Sequence, residues 1–166
     1  MILRQLIIFF LSIFFLKQTF ADSKNVKYVL SELIQTINIY GPPHIEGEEI
    51  ISDKKIAPTL YFGTKKINNS FFVVDLIKKK QGGTATIFVK NKNEFTRIST
   101  NVLKNDGNRA IGTDLAKNKA FEEINKGHSF CGLIEILSKM YNTCYEPIKN
   151  NANEIIGIYY VGFLSE

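Results

Sequence analysis

Residues Thr84–Thr113 read TATIFVKNKNEFTRISTNVLKNDGNRAIGT, and the reading of this stretch decides the fold. Thr84–Val89 is rich in β-branched residues and predicts a strand. A polar turn at Asn91–Glu94 leads into a second strand over Phe95–Val102. Lys104–Arg109 predicts a tight exposed loop, because Asn-Asp-Gly-Asn supplies positive-φ positions and Asx hydrogen bonds. The chain uses lysine for nearly all its positive charge, yet Arg97 and Arg109 both fall here, the remaining arginine being Arg4. Arginine in a lysine-biased chain points to a need for its planar, bidentate fork. Arg97, Ser99 and Asn101 alternate along the second strand and are expected on one face. A surface ion pair with Glu94 or another acid is the competing reading for Arg97, and a loop staple for Arg109.

Upstream, Ser23–Ile39 predicts an amphipathic helix. Val26, Val29, Leu30, Leu33, Ile34 and Ile37 form its apolar stripe, Asp22 or Ser23 caps it, and Gly41-Pro42-Pro43 ends it. His44–Asp53 is expected to be a polar connector. Its glutamates beside His44 do not make a metal site, because His128 is far off and has no matching spacing. Asn69 or Ser70 is expected to cap a short helix through Lys80, with Phe72, Val73, Leu76 and Ile77 inward and Gly82-Gly83 as its stop.

Downstream, Asp114–Lys126 predicts another short helix ending at Gly127. His128–Leu137 and Tyr141–Ile148 predict a hairpin turning near Ser138-Lys139. Ile155–Phe163, apolar on both parities, predicts a central strand covered on both faces. Together these give an α+β fold with five antiparallel strands. Tyr141, Thr143 and Tyr145 share one strand face, which suits a small polar ligand or an aromatic core stripe. Cys131 and Cys144 lie diagonally if the hairpin turns at Ser138-Lys139, a marginal geometry for a disulfide. A one-pair shift of the turn would make them direct partners.

The runs ATIF, RISTNV and DG-RAIGT resemble the Cache 3/Cache 2 fusion domain, a single PAS-like Cache sensor module. The resemblance continues through Pro58–Gly63 (PTLYFG), Val74–Asp75, Tyr145–Ile148 (YEPI) and Ile156–Gly162 (IGIYYVG), so it spans about Pro58 to Phe163. It implies a five-stranded sheet of order 2-1-5-4-3 with a long N-terminal helix packed on it. It also implies a ligand held between the sheet and its overlying loops, typically an organic acid or amino acid. On that basis the ligand-binding positions are Arg109, Tyr141 and Tyr145, then Thr143, Arg97, Asn101 and Asp75. The chain departs from the family pattern at Ser138, Met140 and Cys144.

Residues 1–21 predict a secretory signal peptide: Arg4 begins it, Leu6–Leu16 is its apolar core, and cleavage follows Ala21, with an uncleaved membrane anchor as the alternative. An 11-residue core rises about 16 Å as a helix, well short of a bilayer's hydrocarbon. The organisation expected is therefore 1–21 leader, 22–57 helix and connector, and 58–166 PAS-like domain. The net charge of +5 falls to +3 without the leader, too little to argue for nucleic acid. His128-Ser129 adjacency is no triad, since neighbouring strand side chains point to opposite faces. No catalytic role, cofactor or metal is expected.

The reading is a periplasmic or secreted small-molecule sensor acting through a membrane receptor or kinase partner. The alternatives are an interaction module with a degenerate pocket, or a fragment of a larger chemoreceptor or sensor kinase.

Overall fold

The computed structural model describes residues 26–53 and 55–165. The expected leader, its expected cleavage site and the expected cap at Asp22 or Ser23 lie outside them. Helix α1 covers 26–38 and buries Val26, Val29, Leu30, Leu33 and Ile37, the stripe expected from its spacing. Each such side chain contributes roughly 1.5–3 kcal/mol when fully buried.

Three strands follow α1: β1 (Pro43–Ser52), β2 (Lys55–Phe62) and the two-residue β3 (Lys65–Lys66). They form a small antiparallel sheet of order β1-β2-β3. The polar connector expected at His44–Asp53 is thus corrected to an edge strand. It buries only Ile51, so its sequence carries no alternation, and its register is interrupted between Ile45 and Glu48.

Helix α2 (Phe72–Gln81) precedes β4 (Thr84–Asn91) and β5 (Glu94–Thr100). Helix α3 (Lys119–Asn125) is followed by β6 (Phe130–Ile136), β7 (Lys139–Lys149) and β8 (Ile155–Leu164). These five strands make one antiparallel sheet, β5-β4-β8-β7-β6. Numbered within that sheet alone they run 2-1-5-4-3, with Ile155–Leu164 in the middle.

The inward face of α2 is Val73, Val74 and Ile77. Phe72 is instead exposed, and no side chain caps the helix. Asn69 takes a positive φ of 56° and spends its amide on the Ile51 carbonyl, so it is a turn residue. Helix α3 starts five residues later than expected, because Asn118 accepts from the Ala120 and Phe121 N–H groups and fixes the first turn there. The β6–β7 hairpin turns at Leu137-Ser138, both with positive φ, one position earlier than expected. That shift pairs Cys131 directly with Cys144, and the two form a disulfide.

The sheet carries a core on each face. On one, α1, α2 and the small sheet bury Ile87, Val89, Cys144, Tyr159 and Val161. On the other, α3 and residues of the 102–118 segment cover Phe88, Tyr145, Ile158 and Tyr160.

Candidate functional site

The strand alternation expected at Arg97, Ser99 and Asn101 is broken. Ile87 pairs with Ser99 but Phe88 pairs with Arg97, so Ile98 is an extra residue in a β-bulge. A bulge re-aims the side chains on either side of it. Ile98 joins the helix-side core. Ser99 donates to the Ser70 carbonyl, and Asn101 bridges Ala85 N–H and the Val74 carbonyl, so both are committed beside α2. Arg97 turns the other way, onto the face of Phe88, Tyr145 and Tyr160.

Arg97 is 6% exposed, so it is not the surface partner of Glu94, which pairs with Lys117 at 2.8 Å instead. Its guanidinium lies 4.9 Å from the Phe88 ring centre. Segment 102–118 leaves β5, bridges back on itself at Leu103–Arg109, and then follows the outer edge of β5. There Gly112 N–H donates to the Arg97 carbonyl and Arg97 N–H to the Thr113 carbonyl, each at 2.9 Å. Arg97 Nη1 also donates to Thr113 Oγ1 at 2.8 Å and to the Asp114 carbonyl at 3.3 Å. The Asp114 carboxylate is held by Thr96 at 2.6 Å and by Lys55 at 3.0 Å.

Two buried polar atoms here have no hydrogen-bond partner among the described residues, Arg97 Nε and Tyr145 Oη. Burial lowers the Arg97 pKa, while Tyr145, Tyr160 and Asp114 favour its charged form. Burial likewise raises the Tyr145 phenol, against the pull of the Arg97 charge. Thr143 lies close enough to favour phenol ionisation, but its own proton goes to the Gly132 carbonyl at 2.7 Å. Tyr160 packs on Tyr145 at 4.9 Å between ring centres and shares a 2.9 Å hydrogen bond with Thr84. The result is a buried cation and an unpaired phenol within electrostatic reach of each other. A carboxylate would satisfy both.

Of the expected ligand positions, Tyr141, Thr143 and Tyr145 share this face, as their spacing requires, with Tyr141 at the rim of the core. Arg109 lies apart from Arg97's bonds. Its Nη1 and Nη2 each reach one Asp75 oxygen at 2.8 Å, Nη1 also reaches the Thr100 carbonyl, and the fork stacks 4.4 Å from the Phe71 ring centre. Arg109 and Asp75 therefore meet each other, and Asn101 is spent on backbone. Sequence reasoning missed Phe88, Thr113, Asp114 and Tyr160. The signal for Tyr160 was available, since correct pairing of the two last strands sets it opposite Tyr145.

No helix among the described residues is long and apolar enough to cross a membrane. No curated protein and no solved structure matches the chain. The family model of the Cache 3/Cache 2 fusion domain matches residues 30–166, taking in both sheets and the Arg97 face. The chain belongs to the Cache 3/Cache 2 fusion domain family, whose members are in general extracytoplasmic sensor domains.

Proposed function

We propose that this chain is an exported sensor that binds a small carboxylate, an organic acid or amino acid, on Arg97 beneath segment 102–118. The observation that supports this is the buried Arg97 guanidinium, whose Nε has no partner among the described residues and which lies within electrostatic reach of the Tyr145 hydroxyl. Tyr141 and Thr143 would line the same face. Arg109 and Asp75 would hold the covering segment to α2 instead of touching the ligand.

At 6% exposure Arg97 is reached only if the 112–115 segment yields. A ligand carboxylate would exchange for the Thr113 and Asp114 oxygens on Arg97. The segment thus released is tied through Asp114 to Lys55 at the start of β2. Occupancy would then be reported through the small sheet to a membrane receptor or kinase partner.

The competing reading is an interaction module with a degenerate pocket, favoured by how completely Phe88, Tyr145 and Tyr160 fill the face. A thermal-shift screen of the protein against organic acids and amino acids separates the two. A true ligand at about 100 times its dissociation constant adds roughly 2.7 kcal/mol, or about 5–10 °C for a domain near this size. A flat response across carboxylates would favour the interaction module.

A further inference from the structure

The second observation lies on the opposite face of the sheet, away from Arg97. A cleft of about 610 Å³ opens between the C-terminal end of α1 and strand β7. That volume is within the range of small-molecule sites. Pro42, Pro43 and Pro147 form much of its wall, so its surface is rigid and more apolar than polar.

Its charges are Glu146 and Lys149. Ser129 donates its hydroxyl to Glu146 Oε2, which orients the carboxylate and leaves Oε1 without a partner from that contact. The nearby Tyr159 hydroxyl, opposite Glu146 across the β7–β8 pair, donates to Asn38 Oδ1 at 2.9 Å. Burial raises the Tyr159 phenol, and the Glu146 charge raises it further, which places that carboxylate within electrostatic reach of the Tyr159 hydroxyl. The C-terminal end of α1, the negative end of a helix dipole, adds to the same sign.

We infer that this cleft is a second ligand site, selective for a primary amine with a short apolar chain. The ammonium would sit on Glu146 at the end of α1, and the chain would lie along the prolines. Lys149 opposes it from the rim. The site is independent of the carboxylate site at Arg97 and would be filled by a ligand of opposite charge.

The test is amide NMR of the labelled protein titrated with n-butylammonium, with butyrate as the control of the same length. Saturable shifts at Asn38, Glu146 and Tyr159 are expected with the amine and not with the acid. Glu146→Gln keeps the acceptor for Ser129 but loses the charge, and should weaken the amine by about 10-fold or more. Lys149→Gln should tighten it. The inference is overturned by an absence of saturable shifts at these amides, by equal binding of butyrate there, or by unchanged affinity in Glu146→Gln. Shifts centred on Arg97 would also overturn it. Because the carboxylate site has its own reporters at Arg97 and Tyr145, either site can fail without the other.

Discussion

Arg109 places Nη1 and Nη2 on the two oxygens of Asp75, each at 2.8 Å, and so ties the segment beyond β5 to helix α2. The pair is about a third to a half exposed, and water screens it. Its coupling should therefore be modest, about 1 kcal/mol at most. The Thr100 carbonyl and Phe71 ring add geometry that only a planar fork can meet. Arg109→Lys should lower the melting point by about 2–4 °C and leave carboxylate affinity intact. A double-mutant cycle with Asp75→Asn reads the coupling. A variant of unchanged stability but lost affinity would return Arg109 to the ligand site.

The Cys131–Cys144 disulfide joins the edge strand β6 to β7 and closes a 13-residue separation. Its removal should cost about 3 kcal/mol by the loop-entropy argument. Urea unfolding with and without reductant checks the magnitude. Alkylation of non-reduced exported protein should label no thiol, and two labelled thiols would contradict the bridge.

Tyr145, Tyr159 and Tyr160 have phenols raised by burial, and the Tyr159 and Tyr160 hydroxyls hydrogen-bond to Asn38 and Thr84. An unfolded tyrosine ionises near pH 10. Below that pH the contribution is fully present. Above it the unfolded state binds fewer protons than the folded one, so stability falls as pH rises towards the folded values. Each tyrosine contributes a slope of up to about 1.4 kcal/mol per pH unit. Denaturant melts from pH 8 to 11 should show the decline. Phenolate absorbance should show three tyrosines titrating only with unfolding. Ordinary titration of all seven tyrosines in folded protein would contradict this.

The predicted leader gives a simple mass measurement. Exported protein should begin at Asp22, after cleavage at Ala21. Full-length chain in the membrane fraction would indicate an anchor instead.

What was legible in the sequence was local pattern. The α1 stripe from Val26 to Ile37 follows helical spacing, the hairpin over Thr84–Thr100 is rich in β-branched residues around a polar turn, and Ile155–Phe163 is apolar on both parities; all three formed. What was not legible depends on a single residue of register. Strand β1 buries one apolar side chain in ten, so its pattern matches that of a loop. At Ile98 the sequence alternates smoothly, and the bulge is imposed from outside. Asn69 N–H takes the Ile98 carbonyl, while Ser99 and Asn101 are drawn to carbonyls around α2. That one inserted residue moves Arg97 from the helix face to the aromatic face. The candidate site was therefore half visible: the Tyr141–Tyr145 face followed from spacing, and Arg97 was among the named positions but was expected on the face of Ser99 and Asn101.

The most direct test of the central claim is carboxylate binding to the parent and to Arg97→Met, followed by thermal shift. Replacing the buried, partly unpaired charge with an apolar side chain removes its desolvation cost, which offsets the loss of its bonds to Thr113 and Asp114. Without ligand, Arg97→Met should therefore melt near the parent temperature. With the acids that stabilise the parent its shift should fall to about half or less at the same concentration, because the charged pair worth roughly 1.5–3 kcal/mol is gone. A ligand shift of parental size in Arg97→Met would contradict the account. So would an Arg97→Met protein that is destabilised while no carboxylate stabilises the parent, since Arg97 would then serve only to hold the 112–115 segment.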